Sequence, residues 1–106
     1  EVWCWNDTSW TRIGGDGVNG SWAAALNIEA VYSLAVYRGE LYAGLGNSTG
    51  DAEVWRWNGS VWAKVGGDGV RSSWDTSYEE NFTLRVYNDR LVTGLGSGTG
   101  DAEVWS

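Results

Sequence analysis

An internal repeat dominates this chain. Residues 1–22 (EVWCWNDTSWTRIGGDGVNGSW) return as residues 53–74 (EVWRWNGSVWAKVGGDGVRSSW), and the opening EVW occurs a third time at residues 103–105. A period near 50 residues is typical of repeat architectures, in which one unit packs on its neighbours because it cannot bury its apolar faces alone. We therefore divide the chain into permuted repeats 1–52 and 53–102, with a further strand copy at 103–106, and we expect it to need partners.

Short runs of alternating apolar and polar residues, separated by turn residues, predict antiparallel strands. The dipeptides Arg38-Gly39, Asn58-Gly59 and Asn88-Asp89 mark hairpin turns between them. Residues 1–14 match the third and fourth strands of a unit, so the repeat is circularly permuted. The other predicted strands are 31–37, 40–46, 52–57, 61–66, 81–87, 90–96 and 102–105.

Four short antiparallel strands in about 50 residues match one blade of a β-propeller. Both faces of a blade contact neighbouring blades, and the strand AEVWRW carries Trp55 and Trp57 on one face and Val54 on the other. A two-sheet sandwich would show a more polar outer face. The sequence predicts an all-β propeller unit spanning residues 1–106, with two circularly permuted four-stranded antiparallel blades of about 50 residues.

Several strings also resemble the blades of a known family. GDAEVWRWNGSVW, GGDGV, SLAVY and LYAGLG resemble the recently amplified propellers of the WD-repeat family. The resemblance covers both repeats and implies nearly identical blades that close into rings of different sizes. The GH and WD signatures of that family are missing, and EVWCWND, AAALNIEA and NDRLVTGLGSGTG depart from the shared blade pattern.

The predicted strands do not divide evenly into two blades, and this suggests self-assembly. Residues 102–105 of one copy and residues 1–5 of another would compete for the same place in a sheet. Strand complementation between copies closes a ring when the rotation divides the circle and otherwise makes a filament. We expect a homo-oligomeric ring, a trimer of six blades or a tetramer of eight, with an extracellular filament subunit as the alternative. The residues expected to pack in this assembly are Val2, Trp3, Trp5, Trp10, Trp55, Trp57, Trp62, Val104 and Trp105.

The composition offers few residues that are suited to catalysis. The chain has no histidine and a single cysteine, Cys4, so the usual nucleophile and base combinations are missing. Carboxylates recur once per repeat, which favours a structural role in turns, and each loop offers too few of them for a calcium site. We predict no enzyme, no metal and no cofactor. The recurring carboxylates are Asp16, Asp51, Glu53, Asp68, Asp101 and Glu103.

Carbohydrate binding is a further alternative for this repeat. Trp22 and Trp74 follow the GGDGV loops and could form stacking platforms for a sugar with Asp16 and Asp68, although packing is the favoured role for both tryptophans. N-x-[ST] patterns predict glycosylation and so favour an extracellular location. A leader peptide would then lie outside this chain. The same residues are also common in turns. The acceptor residues are Asn6, Asn19, Asn47, Asn58 and Asn81.

Charge and hydropathy exclude two further classes of partner. Acidic residues outnumber basic ones 14 to 7, so the chain lacks the basic surface that dominates nucleic-acid affinity. Its apolar runs are shorter than the roughly 18 residues that a membrane-spanning segment requires. We therefore expect neither nucleic-acid binding nor a membrane span.

Overall fold

The described part of the chain contains nine strands, and they pair in antiparallel fashion. The computed structural model describes residues 1–24, 28–96, 98–100 and 102–106. The predicted all-β antiparallel architecture is confirmed. The strands are β1 (Val2–Trp5), β2 (Trp10–Gly14), β3 (Ala30–Tyr37), β4 (Glu40–Gly46), β5 (Glu53–Trp57), β6 (Trp62–Gly66), β7 (Glu80–Tyr87), β8 (Arg90–Gly96) and β9 (Glu103–Trp105).

The strands form two sheets. β1 pairs only with β2, whereas β3, β4, β5 and β6 pair in chain order as a four-stranded meander. β7, β8 and β9 form a three-stranded meander that joins the first through one residue pair, Gly46 opposite Glu80. The resulting seven-stranded sheet curls strongly into a half-barrel. One complete and two partial copies of the repeat are therefore arranged side by side.

Two hairpins have the tight turns that their sequences predict. Arg38 and Gly39 have φ angles of 49° and 79°, and Asn88 and Asp89 have φ angles of 47° and 57°. Positive φ at both central residues defines the two-residue turn whose twist matches that of antiparallel strands. The turns β3–β4 and β7–β8 are confirmed.

The hairpins β1–β2 and β5–β6 have four-residue loops instead of two-residue turns. The Oδ1 atom of Asn58 accepts hydrogen bonds from the backbone N–H groups of Ser60 and Val61, at 2.9 and 3.0 Å. Asn6 holds its own loop in the same way, with Thr8 and Ser9 as donors. The backbone N–H groups of Asn58 and Asn6 also donate to the carbonyl oxygens of Val61 and Ser9. Because the asparagine side chain holds two further N–H groups inside the loop, the loop is longer than the dipeptide Asn58-Gly59 alone suggests.

Two hydrophobic clusters repeat the same positions along the chain. Each contains an equivalent valine, leucine and tryptophan from successive repeats, but only the first contains a buried tryptophan from the last strand of a meander. The first consists of Val2, Trp22, Ala43, Leu45 and Trp62, and the second of Ala52, Val54, Trp74, Leu84 and Leu95. The first cluster connects β1–β2 to the meander β3–β6.

The contact between the two meanders depends on Gly46. A Cβ atom at this position would lie 2.6 Å from the carbonyl oxygen of Glu79 and 2.7 Å from Cα of Glu80. Both are backbone atoms that cannot rotate away, so we expect Gly46→Ala to lower the free energy of unfolding by about 1–3 kcal/mol. At Gly96, the equivalent position, Cβ would meet only the ring of Phe82 at 3.2 Å. Urea denaturation of the dissociated chain should show a clearly smaller loss for Gly96→Ala, and equal losses would contradict the proposed backbone clash.

Candidate functional site

Equivalent tryptophans differ greatly in exposure between the start and the middle of the chain. On β1–β2, Trp3, Trp5 and Trp10 are 49%, 46% and 63% exposed. Their counterparts Trp55 and Trp57 are partly buried, and the counterpart of Trp10, Trp62, is only 3% exposed. Three indoles side by side on one hairpin form an apolar surface of the kind that marks an interaction site.

Trp62 shows what the equivalent of Trp10 does when it is packed. Its Nε1–H donates to the carbonyl oxygen of Ile13 at 2.7 Å, and its ring lies so close to Gly14 that a Cβ there would be 2.8 Å from Nε1. The ring meets Trp22 edge to face, with 5.4 Å between centroids. We call this arrangement of Ile13, Gly14, Trp22 and Trp62 the filled site.

A cavity of about 520 Å³ lies at the equivalent place in the next repeat. It opens between β6 and the meander β7–β9. Trp74 and Trp105 meet edge to face there at 5.8 Å, the same geometry and separation as Trp22 and Trp55 beside the filled site. We call this cavity the open pocket; its lining includes Val65, Gly66, Ser72, Trp74 and Trp105.

A polar cluster accompanies each copy of the EVW motif. In the middle copy, the Lys64 ammonium group lies 2.8 Å from Glu53 and 2.6 Å from Asp68, and Trp55 donates its indole N–H to Glu53 at 2.5 Å. The Glu53 side chain is 5% exposed and the Lys64 side chain 26%, so the ion pair is buried on its carboxylate side. The prediction that the recurring carboxylates serve in turns is wrong for Glu53, which lies within β5.

The flanking copies contain versions of the same cluster. Arg12 takes the place of Lys64 and bridges Glu1 at 2.7 Å and Asp16 at 3.1 Å, with Trp3 donating to Glu1. In the last copy, Trp105 donates to Glu103 at 2.7 Å, and the structure shows no ion pair to Glu103 within the described ranges. The pairing of a strand carboxylate with a cation on the next strand was not predicted from the sequence. The equal sequence separation of 11 residues in Glu1/Arg12 and Glu53/Lys64 is a signal that could have indicated it.

The predicted sugar-stacking residues serve in packing instead. Trp22 and Trp74 are buried, and Trp74 donates its indole N–H to the carbonyl oxygen of Ala52. Single 3₁₀ turns at Val18–Gly20 and Val70–Ser72 direct the chain back so that each tryptophan enters the core. Asp16 and Asp68 are engaged in the ion pairs described above, so these four residues form no exposed platform in this structure.

The asparagines of the N-x-[ST] patterns have hydrogen-bonding roles. Asn6 and Asn58 hold the hairpin loops, Asn19 donates to the Ile13 carbonyl oxygen, and Asn47 donates to Glu29 and accepts from Tyr32. Asn81 is completely buried, with Thr93 donating to its Oδ1 atom at 2.8 Å. A glycan needs an accessible amide nitrogen, so the folded chain is incompatible with the glycosylation predicted at Asn81.

Asp51 is a second buried carboxylate, beside the EVW cluster. Desolvation raises its pKa above the ordinary value of 3.8, against a hydrogen bond from the backbone of Ser48 that lowers it. The corresponding Asp101 lies outside the described residues. Among the residues that the structure describes, no three Cys, Asp or Glu side chains are grouped as a metal site would require. Nor does this part of the chain contain a helix with the length and apolar character needed to cross a membrane.

Comparison of the chain with family models, curated proteins and solved structures finds no match. The resemblance to WD-repeat propellers therefore stays a prediction from the sequence. The function of the chain has to be inferred from its own geometry. Two features differ from their equivalents in the neighbouring repeat, namely the exposed tryptophans of β1–β2 and the open pocket.

Proposed function

We propose that this chain is a non-catalytic self-assembling module, in which the meanders act as β-propeller blades and copies join by strand complementation and tryptophan packing. The observation that carries this proposal is the exposure of Trp3, Trp5 and Trp10 on β1–β2, where equivalent side chains in the middle of the chain are packed. Burying an aromatic side chain removes about 150–250 Å² from water, so covering three of them is a substantial driving force.

The sheet edges support the same proposal. Among the strands that the structure describes, β1 pairs with β2 alone and β9 pairs with β8 alone. Unprotected edges favour pairing with another chain. Two blades per chain then require even blade totals, so the closed forms are a trimer of six blades and a tetramer of eight. An extracellular filament is the corresponding open form, reached if the rotation between copies does not divide the circle.

Carbohydrate binding receives less support. The tryptophans expected to stack on a sugar, Trp22 and Trp74, belong to the two hydrophobic clusters and are 4% and 5% exposed, and of the two only Trp74 lines the open pocket. The exposed tryptophans all lie on β1–β2, where open strand edges accompany them. We therefore assign this surface to contact between copies of the chain.

Solution mass tests the proposal directly. Light scattering over a series of concentrations should give a discrete species of three or four times the 11.6 kDa chain mass, and negative-stain electron microscopy should show rings. Fibres of growing mass would select the filament form. A constant mass of 11.6 kDa up to about 100 µM would reject self-assembly, because it would mean a dissociation constant well above the micromolar values of ordinary specific interfaces.

A further inference from the structure

The structure contains one tryptophan site twice, filled in one repeat and open in the next. The filled site holds Trp62 against Ile13, Gly14 and Trp22. Each of these neighbours has an equivalent in the following repeat, and all of the equivalents line the open pocket. They are Val65 for Ile13, Gly66 for Gly14 and Trp74 for Trp22.

The residue equivalent to Trp62 within the repeat is Trp10, the most exposed tryptophan of β1–β2. We infer that the β1–β2 hairpin of a second copy enters the open pocket with Trp10, and that its β1 displaces β9 from the side of β8. This inference rests on the proposed self-assembly and identifies the contact that produces it. The Trp10 indole N–H then has the Val65 carbonyl oxygen as its acceptor, as Trp62 has Ile13.

Strand pairing favours the exchange of β9 for β1. β9 pairs with β8 at three positions, Thr93, Gly94 and Leu95, whereas β5 pairs with β4 at five. The two additional positions in β4 are Leu41 and Tyr42, and their equivalents in β8 are Leu91 and Val92. Glu1 together with β1 is equivalent to the whole of β5, so in the same register residues 1–5 pair with β8 at all five positions, with Trp5 opposite Leu91 and Cys4 opposite Val92.

Side-chain packing is conserved in this exchange. Trp3 replaces Trp105 against Trp74, as Trp55 packs against Trp22. The ion-pair cluster of Glu1, Arg12 and Asp16 lies wholly on the entering segment and moves with it. The three exposed indoles of β1–β2 are thereby brought to the positions of their packed equivalents.

Charge also favours a second copy at the open pocket. Arg71 and Arg90 line it. The hairpin that enters carries Glu1, Asp7 and Arg12, and because Arg12 is paired with Glu1, Asp7 supplies its remaining negative charge. Opposite charges on two surfaces speed their encounter and fix their orientation. A net charge of −7 on each chain opposes assembly at low salt, so moderate salt should be present in the experiment.

A disulfide between copies tests the strand register. Directly opposed residues on antiparallel strands have Cβ atoms about 4.5–5.5 Å apart, close to disulfide geometry. We expect Val92→Cys, oxidised at assembling concentration, to give covalent dimers and larger covalent oligomers, because every copy carries both the introduced cysteine and a Cys4 that pairs with the next copy. Val36→Cys is the matched control, because Val36 is an exposed valine on β3, outside the inferred contact. The double variant Val92→Cys/Cys4→Ser should give no covalent oligomers.

The variant Trp10→Ala tests the pocket independently. Because Trp10 is exposed in the single chain, the variant should fold, as checked by circular dichroism, while its assembly dissociation constant rises at least about tenfold. Assembly of normal strength in Trp10→Ala, together with no cross-link in Val92→Cys, would overturn this inference and leave self-assembly standing. A monomeric parent chain would overturn both.

Discussion

Trp62→Ala is expected to lower the free energy of unfolding by about 3–5 kcal/mol. The indole is buried among Trp22, Trp57 and Gly14, and its N–H donates to the carbonyl oxygen of Ile13 on the other sheet. Alanine would leave a cavity in the first hydrophobic cluster and remove one of two hydrogen bonds to the Ile13 carbonyl oxygen, which would keep the bond from Asn19. A loss of this size is a large part of the stability of a small domain.

Urea denaturation below the concentration at which the chain assembles measures this loss. Tyr87→Ala is the control, because it removes an aromatic side chain that is mostly exposed on β7, and its cost should stay below about 1 kcal/mol. Hydrogen exchange adds a local readout, since Trp62 connects β2 to the larger sheet. Faster exchange in β1–β2 of the variant is expected, and equal losses in the two variants would contradict this role of Trp62.

The strand boundaries could be predicted because local sequence determines them. Alternation and turn residues place the strand 40–46 and the turn Arg38-Gly39 where the structure has them. Type I′ turns need residues that tolerate positive φ, which makes such turns visible in a sequence. The four-residue loop at Asn58 was less predictable, because its length depends on a side-chain hydrogen bond that competes with strand pairing.

The burial of individual tryptophans could not be predicted in the same way. Trp10 and Trp62 occupy the same position in nearly identical sequences, yet one is exposed and the other is buried. The difference comes from neighbours distant in sequence, since Trp62 packs on Trp22 as well as on Trp57, whereas the ring contact of Trp10 is with Trp5 of its own hairpin. A repeat pattern therefore predicts which residues are equivalent, while position in the array decides which of them are covered.

The buried ion pair shows a second limit of sequence patterns. Glu53 follows a turn and recurs in each repeat, features that suggest a solvated carboxylate. The bulge between Val54 and Trp55 and the pairing of Trp55 with Lys64 place the cation beside Glu53. This relation depends on strand register, and register can be inferred from a sequence only after the hairpin loop length is known.

Removing the cation of this pair should have a large effect on stability. Lys64→Met would leave the Glu53 carboxylate buried without its cation. Of the donors Trp55 and Lys64, only the indole N–H of Trp55 would remain. We expect a loss of about 3 kcal/mol at pH 7, typical of breaking a buried pair from one side. Arg12→Met is the matched control, because Arg12 and Glu1 are 33% and 45% exposed and such pairs contribute below about 1 kcal/mol.

The pH dependence distinguishes a charge effect from lost packing. Burial raises the pKa of Glu53 above 4.5, against the hydrogen bonds from Lys64 and Trp55 that lower it. A carboxyl whose folded pKa is raised favours the folded state fully below pH 4.5, and this contribution is lost as pH rises through the folded pKa. Removing Lys64 raises that pKa further, so the deficit of Lys64→Met should be largest at neutral pH and shrink on acidification.

Urea denaturation of the dissociated chain at pH 7 and pH 5 measures that change. The double variant Lys64→Met/Glu53→Gln should recover at least half of the loss at pH 7, because glutamine carries no buried charge and can still accept the Trp55 hydrogen bond. A deficit that is the same at both pH values, and is not reduced by Glu53→Gln, would mean that Lys64 stabilises the fold through the packing of its aliphatic stem instead of its charge.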